Sequence, residues 1–200
     1  MGAAMGKKND LRVQKTHEAI MNAFKAMICE MDANKITVKA LTERAKVHRQ
    51  TFYLHYNSLE DLYDEIMKET LAKFAAVGST ISPPFDMRDF HRKFFEQCAR
   101  LEKHEERILC SPSYYFYGRR LLLSGLSQSQ RRYNAYEQWS PDVQEMIRRF
   151  LYVNLLDFYR QWVTSGKKMS LEELTVLSSK LMFNGLSDFI DPVPNPAGDI

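Results

Sequence analysis

The sequence predicts an all-α protein, with an N-terminal three-helix domain holding a helix-turn-helix and a larger C-terminal helical domain behind it. Three observations predict this. Apolar residues recur at helical spacing along most of the 200 residues. No strand-length alternating segment bounded by turns occurs, and there is no internal repeat. Strong breakers gather in two places, Gly78 to Pro84 and the proline-rich end at Pro192, Pro194 and Pro196.

Ile20, Ala23, Phe24, Met27, Ile28 and Met31 make the apolar stripe of a first helix from about Leu11 to Met31. Asp32-Ala33-Asn34 turns the chain, and without a glycine this turn is expected to lean on a left-handed Asp32 or Asn34. Thr37 caps a short helix bearing Val38, Leu41 and Ala45. After Lys46, Val47 and His48 comes a second short helix, from about Arg49 to Tyr56, burying Phe52. Ser58 with Asp61 forms the capping pair of a longer fourth helix carrying Leu62, Ile66 and Leu71.

Beyond the seam, Phe90, Phe94, Cys98 and Leu101 give one helical face from about Asp86 to His104, and Pro112 breaks the pattern. A helical segment from about Ser113 to Ser129 precedes a polar, poorly periodic stretch from Gln128 to Ser140. Ser140-Pro141 opens a long helix that Gly166 ends. Ser170 and Glu173 box the start of a last helix running through Leu174, Leu177, Leu181, Leu186 and Phe189.

Composition narrows the function classes. Hydrophobic residues make up 44% of the chain, ample for a core, and the net charge of +3 is too small to decide partners by itself. No apolar run approaches the roughly 20 residues a bilayer span needs, so a cytoplasmic protein with no membrane partner is expected. Cys29, Cys98 and Cys110 lack disulfide or metal spacing and read as reduced core thiols. His91 and His104 stand too far apart to form a preorganised metal pair. Hydrolase elbow, phosphate loop and zinc-protease motifs are missing, which argues against an enzyme and for no cofactor.

Two short helices joined by three residues and braced by longer ones make a DNA-binding layout. Placed in a major groove, the second would aim Arg49, Gln50 and Tyr53 at the duplex. Arginine grips guanine O6 and N7, and glutamine grips adenine N6 and N7. Thr51, His55, Tyr56, Thr37 and Lys39 can donate to phosphates, which fixes register. The charge is local: Lys35, Lys39, Arg44, Lys46 and Arg49 have only Glu43 nearby, whereas Glu60, Asp61, Asp64 and Glu65 crowd the next helix.

The stretches Lys35-Ile36-Thr37-Val38, Leu41-Thr42-Glu43-Arg44-Ala45-Lys46-Val47 and Arg49-Gln50-Thr51-Phe52-Tyr53-Leu54-His55-Tyr56, with Asp61-Leu62, resemble the N-terminal domain of the TetR family of regulators. The resemblance covers roughly Val13 to Phe74. It implies that Tyr53 and Tyr56 meet the DNA backbone and that Arg49 and Gln50 approach bases. One departure is Lys46, at a turn position often held by glycine, where a left-handed backbone costs about 1 kcal/mol.

The implied organisation is a disordered or extraneous segment 1–9, a DNA-binding domain 10–77 with its helix-turn-helix at about 36–55, an effector and dimerisation domain 85–190, and a tail 191–200. The last two long helices have broad apolar stripes suited to pairing with a second copy, and Leu155, Phe158, Trp162, Leu177, Leu181 and Leu186 are the candidate dimer contacts. Phe94, Cys98, Tyr114, Phe116, Tyr117, Tyr152 and Tyr159 either line a pocket for a small apolar or aromatic effector or pack a core. The expected function is a homodimeric repressor on double-stranded operator DNA, released by that effector. An activator or architectural DNA binder without effector, and a helical protein adaptor, are the alternatives.

Overall fold

The computed structural model describes residues 2–78, 80, 86–120 and 137–185. Every regular element among them is helical: α1 (Gly2–Glu30), α2 (Val38–Ala45), α3 (Arg49–His55), α4 (Leu59–Gly78), α5 (Met87–Ala99), α6 (Lys103–Cys110), α7 (Pro141–Thr164) and α8 (Leu171–Asn184). Two 3-10 turns, Ala33–Lys35 and Pro112–Tyr114, complete the set, the second running into helical residues 115–120. Leu186, Phe189, the tail and most of the predicted 113–129 helix lie outside the described residues.

Two compact units emerge, and they do not follow the sequence seam. Described residues up to Ala75 together with 101–120 form one, and residues 76–100 with 137–185 form the other. The first unit thus takes back a segment from beyond the Gly78–Pro84 breakers.

In that first unit Ile20, Phe24, Met27 and Ile28 make the buried stripe of α1, Phe24 edge-on to Tyr63 at 4.7 Å, and Leu41, Phe52, Leu62 and Ile66 are buried in the same unit. Helix α1 starts at Gly2, earlier than the predicted Leu11. The α1–α2 turn needs no left-handed residue: Asp32 is extended at φ −76°, and a 3-10 turn closed by Lys35 N–H to Asp32 O reverses the chain. Arg44 on α2 returns to Glu30 at the end of α1 at 2.6 Å. At the start of α4, Asp61 accepts from the backbone N–H of Asn57 at 2.6 Å, one residue earlier than the predicted Ser58 pairing.

The predicted single helix over Asp86–His104 is two helices. It stops at Ala99, and α6 opens on a capping box in which Glu102 and Glu105 serve each other's backbone N–H groups. Glu105 is buried and fixes α6 to α4: Thr70 Oγ1 donates to it at 2.7 Å and Lys73 Nζ at 2.8 Å. Burial would raise its pKa, but the hydrogen bonds from Lys73 and Thr70 prevail and hold it below the usual carboxylate range. Tyr114 donates to Met31 O at 2.7 Å, tying the segment after α6 to the end of α1.

In the second unit α5, α7 and α8 pack on one another. Asp86 caps α5 by accepting from Arg88 N and Asp89 N. Ser140-Pro141 opens α7 as the sequence predicts, and Ser170 and Glu173 box the start of α8. Gly166 at φ 83° and Lys167 at φ 55° make the turn between them, with Trp162 Nε1 donating to Met169 O at 2.7 Å. The face of α8 turned inward is Leu174, Thr175, Ser178 and Ser179, mostly small and polar. Both serine hydroxyls donate to Thr175 O, so their polarity is satisfied within their own helix.

Candidate nucleic-acid interface

Phe52 is fully buried and Tyr56 nearly so, and these two side chains hold one side of α3 against the first unit. The other side is left in solvent: Arg49, Gln50, Tyr53 and Leu54 are exposed, at spacings of one, four and five that share a helical face. Thr51 and His55 are half-buried at its edges. The turn before α3 is made by Lys46, left-handed at φ 55° and ψ 42°, whose N–H bonds to Glu43 O. Glycine there would relax about 1 kcal/mol of backbone strain.

Arg49 is preorganised. Its guanidinium donates to Tyr53 Oη at 3.2 Å and lies 5.6 Å from the Tyr53 ring centre, so two predicted contact residues stand as one unit. Thr37 and Lys39 are exposed at the start of α2, and the Thr37 hydroxyl accepts from Ala40 N at 3.2 Å as its N-cap. That oxygen keeps its own proton to donate elsewhere.

Tyr56 requires a correction. Its hydroxyl, expected to reach a phosphate, is engaged inside the unit, 2.6 Å from His17 Nδ1 and 3.2 Å from Glu65 Oε2. His17 Nε2 in turn sits 3.1 Å from Glu65 Oε1. Burial first, then the Glu65 charge, raises the phenol's pKa. The residue ties the end of α3 to α1 and α4 and leaves the DNA-facing set. Leu54, by contrast, is 84% exposed and was not singled out from sequence. The signal was there, since an apolar residue one step past Tyr53 falls off the Phe52–Tyr56 stripe. On such a face leucine can meet a thymine methyl.

The aromatic set proposed for a pocket divides between the units. Tyr114 is buried in the first, where Tyr117 stacks on Tyr63 at 3.7 Å, while Phe116 is exposed. Phe94, Cys98 and Tyr159 are buried in the second, Tyr159 donating to Cys98 O at 3.1 Å, and Tyr152 sits edge-on to Phe90. The dimer candidates also need revision. Leu155 and Trp162 are enclosed by their own chain, so they offer a second copy little surface, whereas Phe158, Leu177 and Leu181 are partly exposed. The exposed apolar side chains of α7 are Val143, Met146, Phe150 and Val153, whose spacing of three, four and three is that of a helix-pairing seam.

His91 and His104 fall in different units. Among the described residues no group of three or more metal-ligating side chains forms, and no helix is long and apolar enough to cross a membrane.

No family model matches the chain. The chain is 34% identical over 68 residues to an uncharacterised helix-turn-helix transcriptional regulator, YxbF, of Bacillus subtilis (strain 168). That match takes in 34% of this chain and only 18% of the relative's length. Among solved structures it resembles a TetR transcriptional regulator from Streptococcus agalactiae at 25% identity and a TM-score of 0.64, covering 89% of this chain and 98% of that one. The fold also matches the fatty acid degradation regulator FadR from Bacillus halodurans, at 17% identity and TM-score 0.61 over 86% of this chain and 96% of that one. In its all-helical fold the chain resembles the TetR-family transcriptional regulators among these solved structures.

Proposed function

We propose that the protein is a homodimeric repressor that seats α3 in successive major grooves of an operator and leaves when a small effector binds its C-terminal part. The observation that carries the reading is the solvent-facing set Arg49, Gln50, Tyr53 and Leu54 on a helix anchored from behind by Phe52 and Tyr56. Three of these side chains suit base edges and methyl groups, and the fourth, Tyr53, steadies the arginine and reaches the backbone.

Pairing through Val143, Met146, Phe150 and Val153 supports the dimer, because leaving such a seam in water forgoes about 1.5–3 kcal/mol per large side chain. Repression needs nothing beyond occupancy, as a dimer covering two half-sites blocks a promoter by bulk alone. Tyr152, partly exposed among the aromatic side chains of the second unit, suits contact with an apolar or aromatic effector. Release then requires that the effector favour one arrangement of the two DNA-binding units over another.

Selection of bound duplexes from a random pool tests the reading. A two-fold symmetric site is expected, with half-sites about 10 base pairs apart or at a multiple of that spacing. Recovery of no preferred sequence would overturn it.

A further inference from the structure

A shallow groove opens on the first unit beside the turn that precedes α3. Leu11, Arg12, Lys15, Thr16 and Ala19 of α1 line one wall, and Ala45, Lys46 and Val47 the other. The α1 residues lie at spacings of one, four, five and eight, a single helical face. Arg12, Lys15 and Lys46 are exposed, and among the described residues no acidic side chain lines the groove. The other lining residues are Leu11, Thr16, Ala19, Ala45 and Val47.

Lys46 is the second, independent observation. It occupies a left-handed backbone position that favours glycine, and it lines this groove. A strained position retained by a long cation is explained if the cation is used there. Lys46 lies three residues before Arg49, the first residue of α3. Anything held in the groove is therefore immediately beside whatever α3 reads.

We propose that this groove is a clamp for the sugar-phosphate backbone of the operator, with Arg12, Lys15 and Lys46 each neutralising phosphate next to the half-site. The proposal rests on the DNA-binding reading of α3 and adds α1 to the interface. Phosphate neutralisation releases counterions, so each contact contributes to the salt dependence of binding and nothing to sequence choice.

The test uses the full chain, a duplex recovered by selection and a scrambled duplex of equal length and composition. Dissociation constants are measured across a salt series for wild type, an Arg12→Gln/Lys15→Gln double variant and Lys46→Gly. The logarithmic salt slope is expected to shrink by about 0.9 per lost contact, hence, over the two half-sites of a dimer, by about 3.6 for the double variant and about 1.8 for Lys46→Gly, on both duplexes alike. Lys46→Gly should also melt at a higher temperature than wild type, so its weaker binding cannot come from a damaged fold. Unchanged slopes in both variants would overturn the clamp while leaving α3 as the reader. A loss confined to the selected duplex would overturn it too, by assigning the groove to base recognition. Wild type that failed to distinguish the two duplexes would instead defeat the DNA-binding reading itself.

Discussion

The surface of α3 and the surface of α7 are opposite solutions to being left in water. On α3 the apolar residues Phe52 and Tyr56 are turned inward, and the exposed face is mostly polar, with Arg49, Gln50 and Tyr53 beside a single leucine. On α7 the inward face is filled by Leu151, Leu155, Tyr159 and Trp162, and a second apolar row, Val143, Met146, Phe150 and Val153, remains outside. A polar, cationic face in solvent costs little and awaits a polyanion. An apolar row at helix-pairing spacing is costly in solvent and calls for another apolar face. Burial, more than composition, separates the two surfaces, since both helices have apolar positions to spare.

Making the α7 row polar has the largest expected effect. A Met146→Asp/Phe150→Asp variant should sediment as a monomer and lose about 10²–10⁴-fold in operator affinity, because two linked half-site contacts become independent. A variant still dimeric by analytical ultracentrifugation would show that the row is not the seam.

The interior of the second unit offers a sharper probe of how its helices hold together. His91 is fully buried between α5 and α8, with Nδ1 3.0 Å from Ser178 Oγ. Because Ser178 donates its own proton to Thr175 O, Nδ1–H is the donor to the serine, and Nε2 is a buried lone pair with no hydrogen-bond partner among the described residues. Burial pulls the pKa down to about 4 from 6.5. Unfolded chains take up that proton first, so this contribution is whole above pH 6.5 and drains away as pH falls towards 4, by about 3 kcal/mol in all. Urea midpoints measured across this range should fall with pH in wild type and flatten in His91→Gln. Equal slopes would mean that the histidine is not held neutral by the α5–α8 contact.

A smaller effect separates the back of α3 from its front. Tyr56→Phe removes the hydroxyl shared with His17 and Glu65 and should cost about 1–2 kcal/mol of stability. Its operator affinity, measured well below the melting temperature, should stay within about threefold of wild type, a change under 1 kcal/mol. A large affinity loss without a stability loss would return Tyr56 to the DNA-facing set.

Much of this was readable in the amino-acid order. The α2–α3 unit follows from a local code: Thr37 as cap, three turn residues, and Phe52 on the buried stripe. Lys46 falls at a turn position that the resemblance to the TetR family marks as one often held by glycine, and its backbone is left-handed there. What escaped were features set by distant partners. Tyr56 reads as a polar tip until His17, 39 positions away, is found beside its hydroxyl. The start of α6 was hidden because its cap is Glu102, a weaker signal than serine, threonine, aspartate or asparagine. Ser178 and Ser179 lie outside the apolar row through Leu174, Leu177 and Leu181, yet they are core, since hydroxyls that bond their own helix can be buried at little cost. Leu155 and Trp162 were assigned to a dimer seam because periodicity alone cannot say which of two apolar rows on α7 faces its own chain.

The account turns on the exposed face of α3, and the most direct measurement compares an Arg49→Ala/Tyr53→Ala variant with wild type on a selected duplex and its scrambled counterpart. The account predicts that the affinity ratio between the two duplexes collapses by about 10²-fold or more, with helicity and dimer mass unchanged. A variant that keeps the wild-type ratio would contradict it.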